Sequence, residues 1–519
     1  MKLLGISLMY HDNNVSYFDG EKLYYHKFER TKQEKHFWYE TIWEIIKDAE
    51  KLFNFEIKEI DQVAIDYDAT KFNGGKEPDG FEALRDYNKN YYKVPDHANM
   101  FAVHGVKELW HLNHHYAHAM STWMLEDENN LPSTKIVIDG VGQGRTYTVF
   151  KNNKIVRYGR IENGSIGLTM GEIGPMLGVN SNNIHDNAGK IMGLQSYGKV
   201  DNDFLNKTKE YSIDEVNQIF NFERWIEHKG DLLLAAHNKL DWIRTVHEAV
   251  GDLIVNLFLE YADTDDVVSY SGGVAQNVVW NTKILNKFKN LIVAPHSSDE
   301  GTSLGAIELL RQLNNLPKFK LENFPYCQND IAPKDKPTDE TIKMVAQLLS
   351  EGKIVGWYQE HGEVGPRALG NRSILMDPRI KDGKKIINTV KNREFYRPFG
   401  ASVLSENIKD YFEFENKDPY MLFTNNFIVK DFPAITHVDN TCRVQTVEKD
   451  DGYFRKLIEE FYNITGCAII LNTSLNVNKK PIAGYPENAI DLFYSSPIDY
   501  MIIGNTIFKK YEEENSGSN

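Results

Sequence analysis

Apolar residues alternate in the manner of strands at the start of the chain, and the period lengthens to that of a helix soon after. Leu3–Met9 is an apolar run and Val15–Phe18 follows. Asp19-Gly20 is a turn signal, and Lys22–Phe28 pairs back as a hairpin. Over Trp38–Leu52 the spacing changes, with Ile42, Ile45, Ile46, Ala49 and Phe53 on one face of a predicted amphipathic helix. Further strands are predicted at Lys135–Ile138, Tyr147–Lys151 and Lys154–Ile161. A long helix follows between Leu240 and Tyr261, then a short strand at Val267–Tyr270. Hairpins that give way to alternating strands and helices indicate a mixed α/β domain. Around Asn314–Thr338 the pattern weakens into a Pro-, Lys- and Asp-rich stretch, where a domain boundary is expected. A helix at Glu340–Leu349 and a strand at Ile354–Tyr358 resume the α/β pattern. The acidic, Ser/Gly-bearing tail Glu512–Asn519 reads as disordered, and no internal repeat is visible.

Composition narrows the class. A chain of 519 residues exceeds one ordinary core. Its hydrophobic fraction of 41% and charged fraction of 26% are those of a soluble globular protein. The net charge of -15 disfavours a protein built to coat nucleic acid, although it leaves room for a local basic pocket. Cys327, Cys442 and Cys467 show no CxxC spacing, which fits plain thiols in a reducing compartment. No apolar run is long enough to span a membrane, and the start lacks a secretory pattern, so a cytoplasmic protein is expected.

Three groups of residues carry candidate chemistry. His114 and His118 stand four apart; if Asn113 begins a helix, both rings share one face and can hold one metal ion. His111 and His115 are off that face. Asp139 follows the strand Ile136–Ile138, and Asp299 precedes Gly301 and a helix, where α/β folds gather ligands. Two imidazoles with two carboxylates suit iron, manganese or zinc. The alternatives are a surface helix start for the histidines and turn or cap roles for the aspartates.

Gly140–Gly144, with Gly142 and Gln143, and Ser271–Asn277, with Gly272, Gly273 and Asn277, are turns whose N–H groups can cradle phosphates. No GxxxxGK[ST] is present. Lys190 lies in a Gly-bordered segment that by itself reads as structural.

The third group is basic: Arg367 and Arg372 in Gly365–Ser373, then Lys391, Arg393, Arg397 and Arg443, with Asn472 in Leu471–Asn476. In an acidic chain their convergence suggests a phosphate or carboxylate pocket, against ordinary surface salt bridging for any one of them.

These motifs occur in order along nearly the whole chain. They include Glu363-x-Gly-Pro-Arg-Ala-Leu-Gly-Asn-Arg-Ser-Ile, Arg393-Glu-x-x-Arg-Pro-Phe, His437-Val-Asp-x-Thr-x-Arg-Val-Gln-Thr and Leu471-Asn-Thr-Ser-x-Asn-Val. His11-Asp12, Glu29-Arg30, Lys35-His36 and Gly189-Lys-x-Met-Gly-Leu precede them. Together they resemble the nodulation-type and antibiotic-pathway O-carbamoyltransferases (NodU/CmcH type). Ala188 departs from the acidic residue common there, and Asn478-Lys479-Lys480 replaces the usual Arg-Gly-Glu.

The resemblance implies an α/β protein of two domains. Residues 1–330 would form a Kae1-like domain of the actin/hexokinase ATPase fold, and 338–511 a YrdC-like domain. It further implies that carbamoyl phosphate is cleaved to carbamate in the second domain. In the first, carbamate would react with ATP to give carbamoyl adenylate, which an acceptor hydroxyl attacks. The implied metal, described as iron with manganese, zinc or magnesium as alternatives, falls on His114, His118, Asp139 and Asp299. Gly142, Gln143, Lys190, Gly272, Gly273 and Asn277 would bind ATP and the adenylate, with His11 as base and Lys35 stabilising developing charge. Arg367, Lys391, Arg393, Arg397, Arg443 and Asn472 would hold carbamoyl phosphate, Arg443 as a catalytic group. The acceptor would be a sugar or natural-product hydroxyl, or a hydroxymethylpyrimidine of a nucleotide or nucleic acid. The aromatic stretch Tyr87–Tyr92 offers stacking surface for a base, the commoner role of such residues being core packing. A threonylcarbamoyl-type tRNA-modifying enzyme is the alternative with the same domain folds.

Overall fold

The first three apolar runs form antiparallel strands, as their alternation requires: β1 (Leu3–Leu8), β2 (Asn14–Phe18) and β3 (Leu23–Lys27). With β4 (Gln62–Tyr67), β5 (Tyr91–Lys93) and β6 (Glu108–Leu112) they build a sheet in the order β3-β2-β1-β4-β6-β5. A second sheet contains β7 (Thr134–Gly142), β8 (Arg145–Lys151), β9 (Lys154–Arg160), β10 (Val268–Ser271) and β11 (Leu291–Val293), in the order β11-β10-β7-β8-β9. These assignments come from a computed structural model, which describes residues 1–67, 89–179, 181, 183–208, 210–219, 238–413 and 417–510. Tyr87 and the tail Glu512–Asn519 lie outside the described residues.

The two sheets repeat one plan. In each, the first strand pairs antiparallel with the second and parallel with the fourth, β1 with β2 and β4, β7 with β8 and β10. The sequence showed no repeat because topology constrains only which positions are apolar, not which apolar residue fills them. Mixed sheets of this kind agree with the α/β class expected from the sequence.

Between these sheets run the helices His114–Met120 and Thr302–Leu313. They approach so closely that a Cβ on Gly305 would lie 1.9 Å from the Ala117 carbonyl oxygen, so only glycine fits there. On the outer side of the first sheet, the helix Ile42–Phe53 buries Ile42, Ile45, Ile46 and Ala49. It starts later than the periodicity suggests because Thr41 and Glu44 close a capping box, Thr41 N–H donating to Glu44 Oε2 at 2.9 Å.

The chain divides into two compact units. Unit 1 holds Met1–Lys32, His36–Asn329 and Leu422–Thr424, and unit 2 holds Gln33–Lys35, Asp330–Met421 and Asn425–Asn519. The third sheet comprises β12 (Val355–Tyr358), β13 (Arg372–Met376), β14 (Gly400–Leu404), β15 (Thr424–Asn426), β16 (Thr441–Val447), β17 (Ile469–Ser474), β18 (Tyr500–Ile503) and β19 (Thr506–Lys509). Its order is β15-β16-β14-β17-β13-β12-β18-β19. The helices Asp339–Ser350 and Gly452–Thr465 bury Val345, Leu349, Leu457 and Ile458 in the core of this sheet. None of the three cysteines forms a disulfide. Among the described residues no helix is long and apolar enough to cross a membrane.

Candidate active site

Asn113 caps the helix His114–Met120 by accepting the His115 N–H at 3.0 Å, so the helix begins where the sequence suggested. Four-residue spacing then turns both rings to one side, and the Nε2 atoms of His114 and His118 stand 3.0 Å apart. Asp139 is not at the end of its strand as expected; β7 runs on to Gly142, and the register shifts between Ile138 and Gly142. That irregularity aims the carboxylate inward, the usual effect of a bulge beside a site. Asp299 comes from the turn before Thr302–Leu313.

His114 Nε2 lies 3.2 Å from Asp139 Oδ2 and 3.4 Å from Asp299 Oδ1, and His118 Nε2 lies 3.8 and 3.4 Å from the same atoms. All four residues are buried. Such spacings match the edges of a coordination polyhedron whose bonds are about 2.0–2.2 Å long.

The chemistry of the donors fits a cation as well. Asp66 Oδ2, 2.9 Å from His114 Nδ1, accepts a hydrogen bond from that nitrogen and turns Nε2 toward the cluster, where a metal ion would take the place of a proton. Gln143 Oε1 accepts the His114 N–H at 2.7 Å, and Gly273 N–H donates to Asp139 Oδ1 at 2.6 Å. A Cβ at Gly142 would come within 2.3 Å of His114 Cδ2, so this glycine leaves room for the ring. Burial disfavours protonation of His114, but the Asp66 and Asp299 carboxylates outweigh it and raise the imidazole well above its ordinary value. A field that attracts a proton this strongly also attracts a metal ion.

A second polar cluster adjoins the first through Asp299. His11 Nε2 is 3.5 Å from Asp299 Oδ2, and its Nδ1 is 2.9 Å from Asp12 Oδ2. The same oxygen of Asp12 meets His36 Nδ1 at 3.1 Å, while Lys27 Nζ holds Asp12 Oδ1 at 2.7 Å and Glu300 Oε2 at 3.0 Å. His36 Nε2 reaches Asp186 Oδ1 at 3.4 Å, and the His185 ring lies 4.2 Å from that of His11. Burial works against a charged His36, yet Asp12 and the Asp186 hydrogen bond raise it to about 10. Burial, then the neighbouring His11 and His36, bring His185 down to about 4. Asp12 and His36 both adopt positive φ, 56° and 59°, a strained backbone that surrounding contacts must hold.

The remaining nucleotide-side candidates are placed as follows. Gly272 and Gly273 lie at the end of β10. Asn277 spends its amide on the protein, accepting the Val279 and Trp280 N–H groups at 3.2 Å and donating to His247 at 2.9 Å. Lys190 is buried on the helix Ile184–Leu194. Lys35 belongs to unit 2, whereas His36, the next residue, belongs to unit 1. His115 and His111 are structural, bound to Thr148 Oγ1 at 3.0 Å and the Tyr92 hydroxyl at 2.5 Å.

In unit 2, Lys391, Arg393 and Arg397 follow the helix Gly383–Val390, and Arg443 stands on β16 near enough to Arg393 to repel it. Burial lowers Arg393, and Arg397 and Arg443 lower it further by repulsion. Burial likewise brings Arg443 to about 10, with Cys442 opposing and Arg397 adding. Arg443 Nε is buried without a hydrogen-bond partner, a costly state unless an anion is present. Arg393 Nε donates to Asn388 Oδ1 at 2.7 Å, and its guanidinium lies 4.2 Å from the Phe399 ring centre.

Lys391 is buried and uses its three donors on Ser474 O, Ser474 Oγ and Asn476 Oδ1, at 2.5, 3.0 and 2.5 Å. Burial lowers it well below its ordinary value, and Arg393, Arg397 and Lys35 add to this. Arg367 sits on a loop fixed by Glu363, whose Oε1 accepts the N–H groups of Leu369, Asn371 and Arg372 at 2.8, 2.8 and 3.1 Å. Asn472 Nδ2 holds the Ala368 carbonyl at 3.2 Å from the other side. Arg372 is structural, paired with Asp330 at 3.0 Å and stacked 3.6 Å from the Tyr358 ring centre.

Asp66, Lys27, Glu300 and Asp186 escaped the sequence reading. Asp66 alone carried a signal, as a carboxylate at the end of the apolar run Val63-Ala64-Ile65.

Comparison with known proteins supplies the family. The model described as "Carbamoyltransferase N-terminus" matches residues 2–307, and "Carbamoyltransferase C-terminus" matches residues 346–510. Uncharacterized protein MJ1058 of Methanocaldococcus jannaschii is 30% identical over 456 residues, 76% of this chain and 73% of that protein. Nodulation protein NolNO of Sinorhizobium fredii is 31% identical over 55% of this chain and 46% of its own length. The 3'-hydroxymethylcephem-O-carbamoyltransferase of Amycolatopsis lactamdurans is 31% identical over 47% of this chain, so the match spans 48% of that enzyme. Solved structures are fainter likenesses: ROK hexokinase from Thermus thermophilus has a TM-score of 0.30 at 16% identity, covering 59% of this chain and 98% of that one. Because the two family models follow one another in order along the two parts of the sequence, the chain belongs to the carbamoyltransferase family and is a carbamoyltransferase.

Proposed function

We propose that this enzyme is an ATP-dependent O-carbamoyltransferase that takes its carbamoyl group from carbamoyl phosphate. The observation that supports the reading is the set of His114, His118, Asp139 and Asp299, four buried side chains in unit 1 whose donor atoms lie within reach of one another. The mutually repelling arginines of unit 2 support it from the other side.

Arg393, Arg397 and Arg443 would bind the phosphate dianion of carbamoyl phosphate and neutralise it as water cleaves the molecule to carbamate and phosphate. The Arg367 loop, held by Glu363 and Asn472, would close on the same ligand. In unit 1, carbamate would attack the α-phosphorus of ATP, giving carbamoyl adenylate and pyrophosphate. The acceptor hydroxyl would then displace AMP while His11 Nε2 takes its proton, with Asp12 orienting the ring through Nδ1. His114, His118, Asp139 and Asp299 would hold a divalent ion, iron as the family resemblance implies with manganese, zinc or magnesium as alternatives, and its charge would offset that of the nucleotide phosphates. The acceptors fitting this chemistry are sugar or natural-product hydroxyls and hydroxymethylpyrimidines.

The test is mass spectrometry of a panel of such acceptors after incubation with ATP and carbamoyl phosphate. A carbamoyl mass increment that requires both co-substrates supports the reading. Transfer that needs threonine and bicarbonate instead would sink it in favour of threonylcarbamoyl chemistry.

A further inference from the structure

Unit 2 has an open cleft of about 450 Å3 lined by Lys381, Asp382, Lys384, Lys385, Phe395 and Pro433. Three lysines in one cleft are unexpected in a chain of net charge -15. None of their ammonium groups has an ion pair or hydrogen bond among the described residues. One carboxylate, Asp382, lines the cleft with them. Lys384 is half-buried and held below the ordinary lysine value by burial, with Asp439 opposing and Arg393 adding repulsion. Its surroundings therefore include an arginine of the basic set already described.

The cleft is also joined to that set mechanically. Lys384 and Lys385 begin the helix Gly383–Val390, which also carries the buried Asn388. Asn388 Nδ2 donates to the carbonyls of Phe395 and Arg397 at 3.5 and 3.3 Å, and its Oδ1 accepts from Arg393 Nε. Phe395, 64% exposed, stands between the two arginines of that loop while forming a wall of the cleft. Apolar walls beside like charges concentrate the field that an approaching anion meets.

We propose that the cleft of Lys381, Lys384, Lys385, Phe395 and Pro433 is an electrostatic vestibule that draws a phosphate dianion toward the Arg393–Arg397 loop. This rests on the reading above for the identity of the dianion as carbamoyl phosphate. The lysines bind it loosely and hand it on, because strong ion pairs at the mouth would retain it. Steering of this kind raises association rates by about 10- to 1,000-fold and fades as salt screens it.

The experiment measures phosphate release from carbamoyl phosphate by the full-length enzyme, Lys381→Glu/Lys385→Glu and Lys381→Gln/Lys385→Gln, at low and high salt. At low salt the charge-reversed variant should lose about tenfold or more in kcat/KM and the neutral variant less, with kcat nearly unchanged. At about 0.5 M salt the three should converge. Equal kcat/KM at low salt, or a loss that persists at high salt, overturns the vestibule. Binding of inorganic phosphate to the same proteins separates the two ideas. A wild-type enzyme that leaves carbamoyl phosphate intact, yet binds phosphate more weakly after charge reversal, refutes the substrate and retains the anion guide. Should the glutamate variant misfold, judged by its melting curve, the glutamine variant decides alone.

Discussion

His114 and Asp66 are joined by a hydrogen bond of 2.9 Å between Nδ1 and Oδ2, and both side chains are buried. The bond engages Nδ1, so that Nε2 is the nitrogen turned toward His118, Asp139 and Asp299 and the one a metal ion would bind. Asp66→Asn should leave the fold intact and weaken divalent-metal binding by about 10- to 100-fold, the usual cost of losing such a partner. Chelator titration with metal analysis measures it, and unchanged affinity would falsify the orienting role.

Gly142→Ala places a methyl group where His114 Cδ2 lies 2.3 Å away. The ring must shift, and metal affinity should fall with it. A metal-dependent rise in melting temperature, present in the wild type and absent in the variant, is the readout.

His114→Ala should abolish carbamate-dependent release of pyrophosphate from ATP yet leave carbamoyl phosphate cleavage. Arg443→Ala should do the reverse, lowering phosphate release by about a hundredfold as an oxyanion-stabilising donor does. Loss of the same half-reaction in both variants would show that the two steps are wrongly divided between the units.

His36, raised to about 10 where burial is outweighed by Asp12 and Asp186, gives a pH signature with a definite sign. An imidazole raised in the folded state stabilises fully below its unfolded value near 6.5, and that stability is lost as pH rises through about 10. Wild-type melting temperature should therefore fall between those limits, and His36→Gln should flatten this slope. Parallel curves for the two proteins would remove His36 as the cause.

On the outer face of the first sheet, Ile45 is fully buried. Ile45→Ala should destabilise unit 1 by about 2–5 kcal/mol through lost burial and a residual cavity. Thr41→Ala should cost about 1 kcal/mol through the broken capping box. Denaturant unfolding of both variants checks the order, and an equal effect would contradict the packing described.

The hairpin β1–β2–β3 and the helix Ile42–Phe53 were legible because local periodicity determines which face of an element is apolar. The four-residue spacing of His114 and His118 likewise fixed a shared face once Asn113 supplied a cap. Other features depended on partners remote in sequence. Asp66 meets His114 across 48 residues, and Asp299 meets Asn14 across 285, distances that no local pattern encodes. Asp139 looked like a strand end, but pairing with β8 carried β7 past it through a register shift. Lys35 and His36 are adjacent in sequence yet belong to different compact units. The repeated sheet order was hidden because hydrogen-bonded backbone, not side-chain identity, defines it. Sequence alone therefore determined the elements, the order of the motifs and the family they resemble. Tertiary structure decided which charges became neighbours, since burial and opposing partners, and not residue type, set the protonation and orientation of each group.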